Sequence, residues 1–288
     1  MTLRMEALRQ SRLAVDFGRW ARPARDGAIL AGVVFALMIG LGLLPFGVDA
    51  HAYWAANPLD PYRDAALSDF DAYFYSPAFT QLLGPLHALP WQWFAGLWTL
   101  LLVATLAWLS GRWLALLILL PPVFIEIAVG NIHLLLAAAI VLGFRWPATW
   151  AFVLLTKVTP GIGLLWFVAR GEWRHLAIAL GATAAIAAVS FAITPALWTE
   201  WFSLLAGRTT APGGDLGFYT AIPLAVRIPI AAALVVWAAR TDRAWVVPIA
   251  AVLALPVLWP NAYAVAVGAI ALATRPSLMP APAPKAAA

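Results

Sequence analysis

Long uncharged segments alternate with short charged ones along the chain, as in proteins that cross a membrane several times. Residues 27–48 are 22 consecutive positions without a formal charge. A helix of that length measures about 33 Å, which is enough to cross a bilayer. Residues 72–111 and 244–274 form two further uncharged segments. The pattern predicts an all-α integral membrane protein built as a polytopic helical bundle.

Charges, prolines and glycines divide the uncharged segments into predicted spans. Positions where Arg follows an apolar run indicate the cytoplasmic side of the membrane, because Lys and Arg are enriched in cytoplasmic loops. We predict a short interfacial helix at 76–89 and a hairpin within 244–274 that turns at Trp259-Pro260-Asn261. The predicted spans are 28–47, 91–110, 113–129, 132–144, 175–194 and 220–239.

These spans predict a single membrane domain over residues 26–275. A basic segment, 1–25, precedes this domain and is expected to lie at the cytoplasmic interface. Residues 48–90 and 195–218 are predicted to form external loops. The Pro- and Ala-rich tail, 276–288, is expected to be disordered and cytoplasmic.

Lys157 divides two apolar runs that are each too short to cross a bilayer. Runs 146–156 and 158–169 would extend about 17–18 Å as helices, roughly half of the membrane. One continuous span with a central lysine would reverse the positive-inside bias, whereas a re-entrant pair of half-helices keeps it. Broken helices at membrane depth are tolerated where they are buried in protein or line a cavity. We therefore favour a re-entrant pair that turns at Lys157-Val-Thr-Pro160.

The N-terminal region also has features of a secretory signal. Arginines precede the first apolar run, and Ala50-His51-Ala52 follows it, like a small-x-small cleavage site. The apolar run is longer than the roughly 7–15 residues of a signal core. An uncleaved first span with its N-terminus in the cytoplasm is the favoured interpretation, and the C-terminus is expected on the same side.

Composition agrees with a membrane protein and excludes several other classes. Hydrophobic residues make up 64% of the 288 positions and charged residues 11%, whereas a soluble domain has about 25% charged residues. Most of the 18 Lys and Arg residues lie at segment ends, so the net charge of +5 indicates topology and contact with membrane lipids, with no nucleic-acid partner expected. The chain has no cysteine, which excludes disulfides, thiolate nucleophiles and Cys-based metal sites.

Five ionisable side chains fall within or beside the apolar segments. Ionisable groups at membrane depth are costly and usually mark a pathway or a site. All five lie in the outer half of the predicted topology, which indicates a polar cavity open to the outside. Cations there could hold a phosphate, and a carboxylate could accept the proton of an attacking hydroxyl. The five residues are Asp49, Glu126, His133, Lys157 and Arg227.

Each of these residues also has a structural explanation, which the sequence leaves open. Asp49 could simply end a helix at the membrane surface. Glu126 and Lys157 could form an ion pair, or Lys157 could cap the broken helix ends. His133 could donate a hydrogen bond between packed helices, and Arg227 could extend from a short span to the interface.

Several short motifs follow one another within residues 28–195: Val48-Asp49-Ala50-His51-Ala52-Tyr53-Trp54, Phe74-Tyr75-Ser76-Pro77, Leu82-Leu83-Gly84-Pro85-Leu86, Gly130-Asn131, Lys157-Val158-Thr159-Pro160 and Arg170-Gly171-Glu172-Trp173-Arg174. In their order and spacing these motifs resemble glycosyltransferase family 87, a family of GT-C-type membrane enzymes. Ser76 stands where the family usually has the first proline of a Tyr-Pro-Pro segment, and Asn131 where it has glutamine. The chain is also shorter than is usual for the family.

The resemblance implies inverting transfer of a sugar, expected to be mannose, from a polyprenyl-phosphate donor to a lipid or glycan acceptor. It implies a site on the extracytoplasmic face of a bacterial plasma membrane and marks Asp49 as the general base. No cofactor is expected, and a divalent metal is neither required nor excluded. Lys157 and Asn131 have motif support, whereas Arg227 is included for its charge and expected burial. The expected substrate-binding residues are His51, Tyr53, Tyr75, Asn131, His133, Lys157 and Arg227.

Two other functional classes fit the same polar cavity. A transporter or flippase of lipid-linked sugars would normally be built on two related halves for alternating access, and no related halves are evident in the sequence. A non-catalytic membrane subunit on the same scaffold is the second alternative.

Overall fold

The computed structural model describes residues 2–44, 46–63, 71–210 and 222–278, and the regular elements within these ranges are helices. This confirms the predicted all-α class. Three helical stretches are long and apolar enough to cross a membrane: Trp20–Gly40, Trp91–Leu117 and Trp173–Ile193. A fourth candidate is a bent pair of helices, Pro121–Val129 with His133–Gly143.

The α-helices are numbered in chain order, and short 3₁₀ segments connect several of them. The 3₁₀ segments that matter for the site are Thr159–Leu164 and Pro260–Ala266. The helices are α1 (Thr2–Gly40), α2 (Val48–Ala55), α3 (Pro77–Leu83), α4 (Trp91–Ser110), α5 (Leu114–Leu117), α6 (Pro121–Val129), α7 (His133–Gly143), α8 (Trp150–Thr156), α9 (Leu165–Arg170), α10 (Trp173–Ile193), α11 (Pro195–Thr210), α12 (Leu224–Arg240), α13 (Val246–Ala254) and α14 (Val267–Thr274).

Helix α1 packs closely against α4, and this contact positions the turn that leads from α1 into α2. It runs without a break through the predicted boundary between the basic segment 1–25 and the first span. A Cβ atom on Gly96 would lie 2.8 Å from the Cα atom of Gly40, so the two backbones meet where neither residue has a side chain. After α1 the chain turns through Gly42 and Gly47, both at positive φ, and enters α2.

The helix that follows α4 differs from the predicted span 113–129. Residues 91–117 form one apolar helical stretch, interrupted only by a 3₁₀ turn at Gly111–Trp113. A new helix, α6, begins at Pro121. The predicted boundary is wrong because Pro121 and Pro122, which lack backbone N–H groups, fit the first turn of a helix and not its interior.

The chain breaks at Lys157, as predicted. Helix α8 ends at Thr156, Lys157 is extended with φ −135° and ψ 99°, and a 3₁₀ segment then leads into α9. The re-entrant course of the two halves across the membrane stays a prediction. Adjacent apolar helices also meet at a bend of 108° between α6 and α7.

Part of the predicted external loop 195–218 is helical. Helix α11 covers residues 195–210, while residues 211–218 lie outside the described residues. Trp198 and Trp201 of α11 pack with Ala151 and Leu155 of α8 in a buried cluster. The segment 195–210 is helical and buries indole rings, and its external position stays a prediction. Of the tail 276–288, residues 276–278 form a 3₁₀ turn, and the rest lies outside the described residues.

Candidate functional site

Asp49 lies in the first turn of α2, where the backbone is tied to α6. Gly47 precedes this helix at φ 100°, and its N–H donates to the carbonyl of Ala128 at 2.9 Å. A carboxylate at a helix N-terminus interacts favourably with the helix dipole. The turn therefore fixes a partly buried carboxylate next to the corner between α6 and α7.

Asn131 holds the Asp49 carboxylate by one oxygen. Its Nδ2 donates to Asp49 Oδ2 at 2.7 Å, and its Oδ1 accepts the N–H of Ile132 at 2.7 Å. Both ends of the amide are thus occupied, so its orientation is fixed. Among the described residues none donates a hydrogen bond to Asp49 Oδ1, so the two oxygens of this carboxylate have different surroundings.

Gly130 makes the corner that brings Asn131 to Asp49. It ends α6 in the left-handed region at φ 75° and ψ 33°, where glycine is favoured. A Cβ atom there would lie 2.7 Å from the Cβ atom of Ala50 in α2. The carbonyl of Gly130 also accepts a hydrogen bond from Trp98 Nε1 at 2.7 Å.

We expect Gly130→Ala to destabilise the protein by about 1–3 kcal/mol, because the left-handed conformation is strained with a side chain and α2 must move away. The measurement is thermal unfolding of the purified protein in detergent. Gly181→Ala in α10 is the matched control, since a Cβ atom there meets nothing within 4 Å. Equal melting temperatures for the two variants would contradict this role of Gly130.

Glu126 is a fully buried carboxylate that joins three segments. Its Oε1 accepts the backbone N–H groups of His133 and Leu134 at the start of α7. These N–H groups have no partner within their own helix, so Glu126 caps α7 from the end of α6. Its Oε2 accepts a hydrogen bond from Asn261 Nδ2 at 2.9 Å.

His133 lies between Glu126 and Lys157 and contacts both. Its Nδ1 is 2.8 Å from Glu126 Oε2, and its Nε2 is 3.0 Å from Lys157 Nζ. An ammonium group only donates hydrogen bonds, so Nε2 accepts, and Nδ1 carries the proton that is donated to Glu126. Glu126 and Lys157 are therefore bridged by a neutral imidazole, where the sequence left open a direct ion pair.

The carboxylate of Asp49 experiences the charges of this network. Burial raises the pKa of Asp49 above its usual range, the hydrogen bond from Asn131 opposes that shift, and the charge of Glu126 adds to it. Lys157 acts in the opposite direction and favours the ionised form. A raised pKa makes Asp49 a stronger base than an exposed aspartate, which suits proton abstraction from a hydroxyl.

Asn131→Ala is expected to move the acidic limb of the activity profile to higher pH. The hydrogen bond from Asn131 lowers the pKa of Asp49, so its loss raises that pKa, and a larger fraction of Asp49 is protonated at any given pH. The measurement is kcat/KM for sugar transfer as a function of pH. Asn57→Ala is the control, since Asn57 is exposed and its side chain accepts a hydrogen bond from the backbone N–H of Leu59; equal shifts in both variants would contradict the assignment.

Tyr53 and Tyr75 are brought together, but in the protein core. Their hydroxyl oxygens are 3.0 Å apart and their rings make an edge contact with centroids 5.2 Å apart. Both residues are buried, and Lys157 Nζ lies 5.9 Å from the centroid of the Tyr75 ring. Tyr75 thus packs beside Lys157, and Tyr53 packs against Tyr75. Contact of either tyrosine with a substrate stays a prediction.

Ser76, which replaces a proline of the family pattern, contributes to the same region. Its hydroxyl donates to the carbonyl of Leu155, one of the last four carbonyls of α8, which lack partners within the helix. Ser76 is fully buried. The substitution therefore ties the loop after Tyr75 to the helix end that precedes Lys157.

His51 belongs to a different group of contacts from the one around Glu126. Its Nδ1 lies 2.6 Å from Asp71 Oδ1. Its ring packs against Trp54 and Trp91 at centroid distances of 5.4 and 4.7 Å. The structure thus gives His51 a role in ordering the region after α2, and its predicted contact with substrate is not tested.

Among the described residues, Arg227 makes its hydrogen bonds to backbone carbonyls away from the network around Glu126, and its predicted contact with a phosphate stays a prediction. Its guanidinium donates to the carbonyls of Ile222, Leu253, Leu255 and Pro256 at 2.7–3.1 Å. Helix α13 ends at Ala254, and the last carbonyls of a helix need external donors. The structure thus gives this buried arginine a structural contact with backbone oxygens at a helix end.

Asn261 is a site residue that the sequence identified only as part of a turn. Its amide is 5% exposed and bonds Glu126, as described above. The available signal was an asparagine after Pro260 within a segment of 31 uncharged residues.

Within the described ranges, no group of three or more His, Asp and Glu side chains is arranged to hold a metal, and independence from metal stays a prediction.

Comparison with protein families identifies the chain. The model of glycosyltransferase family 87 matches residues 73–280, which is more than half of the 288 residues. The match contains Glu126, Asn131, His133 and Lys157, whereas Asp49 precedes it. No curated protein and no solved structure gives a significant match. This membrane protein belongs to glycosyltransferase family 87.

Proposed function

We propose that the protein transfers a sugar from a polyprenyl-phosphate donor to a lipid or glycan acceptor, with Asp49 as the general base. The observation that carries the proposal is the convergence of Asp49, Asn131, His133 and Lys157, from three separate parts of the chain, in one hydrogen-bonded and charged network. Mannose is the expected sugar, from the resemblance to the family. The proposed setting is the extracytoplasmic side of a bacterial plasma membrane.

The proposed reaction is a single displacement that inverts the anomeric carbon. The acceptor hydroxyl gives its proton to Asp49 Oδ1 as its oxygen attacks that carbon. The bond between the anomeric carbon and the phosphate oxygen breaks, and its electron pair remains on the polyprenyl phosphate. This leaving group is a stable phosphate monoester dianion, so no general acid is required.

Lys157 is the proposed partner of that phosphate. Its ammonium uses one of three N–H donors on His133 Nε2, which leaves donors for phosphate oxygens. Charge-assisted hydrogen bonds of this kind are short and strong. As the leaving group gains negative charge, the interaction with Lys157 strengthens, and the transition state is stabilised more than the bound donor.

Sugar transfer by the purified protein in lipid nanodiscs tests the function. The assay supplies a radiolabelled polyprenyl-phosphate sugar, as mannose, glucose or arabinose, together with membrane lipid and glycan acceptors. The proposal predicts labelled product whose anomeric configuration is opposite to that of the donor. Label that crosses the bilayer without a new glycosidic bond would identify a flippase, and donor binding without transfer or transport would identify a non-catalytic subunit; both results would overturn the proposal.

A further inference from the structure

Asn261 is a buried amide that the proposed displacement does not use directly. It lies in the 3₁₀ segment Pro260–Ala266, and its Nδ2 donates to Glu126 Oε2 at 2.9 Å. The same nitrogen is 3.5 Å from His133 Nδ1. Its partners are 135 and 128 residues away in sequence. Through this amide the C-terminal segment 260–266 reaches the centre of the site.

The Glu126 carboxylate has four donors around it, two on each oxygen. Oε1 faces the N–H groups of His133 and Leu134, and Oε2 faces Asn261 Nδ2 and His133 Nδ1. A carboxylate accepts about four hydrogen bonds when it is ionised, so this one is saturated. Because Oε2 of Glu126 faces His133 Nδ1, the contact keeps the proton of His133 on Nδ1 and leaves Nε2 as an acceptor for Lys157.

We propose that Asn261 is a positioning residue of the glycosyl-transfer site, which fixes the Nδ1-protonated form of His133 through Glu126 and thereby aims Lys157 at the donor phosphate. This inference rests on the proposed function for the role of Lys157. Groups that hold a ligating or catalytic side chain by a second hydrogen bond commonly set its tautomer and orientation.

The identity of residue 261 matters because Oε2 of Glu126 needs a neutral donor. Leucine has a similar size but no donor, so it would leave a buried carboxylate oxygen with one partner fewer, which is costly. Aspartate has the same shape, but its carboxylate would face that of Glu126. The ionisable groups that face Glu126 are His133, Lys157, Asp49, Tyr53 and Tyr75.

The state of His133 is measured by histidine ¹⁵N NMR, with no need for sugar transfer. Substituting His51, His87 and His175 by glutamine leaves His133 as the single histidine. In the single-histidine protein that retains Asn261, we expect the spectrum of His133 to show a protonated Nδ1. In the same protein with Asn261→Leu, we expect a mixture of the two tautomers. An unchanged spectrum in Asn261→Leu would overturn the inference even if the protein is an active transferase, and a changed one would support it even if transfer is not observed.

Transfer kinetics give the second test. Asn261→Leu is expected to raise the KM for the donor by about 10–100-fold, the range seen when a group that orients a functional ligand is lost, with kcat changed less. Gln81→Leu is the matched control, because Gln81 is a half-buried amide that bonds Ser190 and Thr194, away from this network. Equal donor KM values in the two variants, at equal thermal stability, would contradict a positioning role.

Asn261→Asp separates positioning from packing by its pH dependence. Two carboxyl groups in contact share one proton when the pH is low, and the shared proton restores a hydrogen bond between them. As the pH rises, both become ionised and repel each other. The activity of Asn261→Asp relative to the unsubstituted protein is therefore expected to rise as pH falls; a ratio independent of pH would count against the inference.

Discussion

Asp49→Asn is expected to reduce sugar transfer by about 10²–10⁴-fold, the usual contribution of a general base, while donor binding is retained. Asparagine keeps the shape of the side chain, and its carbonyl oxygen can still accept the hydrogen bond from Asn131. It cannot accept the proton of the acceptor hydroxyl. The measurement is kcat for transfer from a radiolabelled polyprenyl-phosphate sugar, together with the Kd of that donor.

Asp60→Asn is the control for this substitution. Asp60 lies in the same region of the chain after α2 and pairs with the exposed side chain of Arg63 at 2.9 Å. Exposed ion pairs contribute little, so transfer by this variant is expected to match the unsubstituted protein. If Asp49→Asn also retained full turnover, Asp49 would not be the base, and another carboxylate would have to be sought.

Lys157→Met is expected to weaken donor binding by about 10–100-fold, since a hydrogen bond to a charged group contributes about 1.5–3 kcal/mol. Methionine keeps the length of the apolar part of the side chain but removes the positive charge. It also leaves His133 Nε2 without its donor. Equilibrium binding of the polyprenyl-phosphate sugar in nanodiscs measures the effect.

Arg63→Met removes a cation of the same charge from an exposed ion pair and serves as the control for Lys157→Met. Its donor Kd is expected to be unchanged. An unchanged Kd in Lys157→Met would show that the phosphate is held elsewhere. Lys157→Arg adds a further comparison, because it keeps the charge but changes the geometry of the contact with His133.

The sequence identified the ionisable residues of the site network, but it left the contacts between them open. Asp49 and Lys157 were recognisable because an isolated charge in an apolar segment needs a reason to be there. The link from Glu126 through His133 to Lys157 could not be predicted, since it depends on the 108° bend between α6 and α7. Spacing along a chain does not specify which oxygen of a carboxylate faces which donor.

Arg227 shows that the same signal also accompanies a structural contact. It too is an isolated charge in an apolar segment, but it satisfies carbonyl oxygens where α13 ends. Sequence alone does not distinguish a cation that binds a phosphate from one that binds backbone oxygens, because both need a buried donor. The helical class followed directly from hydrophobic content, whereas the helix over 195–210 was missed because its Trp and polar residues resemble an interfacial loop.

A cryo-EM structure of Asp49→Asn with a bound polyprenyl-phosphate sugar tests the central claim most directly. The account predicts a phosphate oxygen at about 2.7–3.2 Å from Lys157 Nζ and an anomeric carbon that faces the side chain at position 49. A donor whose phosphate lies away from Lys157, with its anomeric carbon turned from position 49, would contradict it.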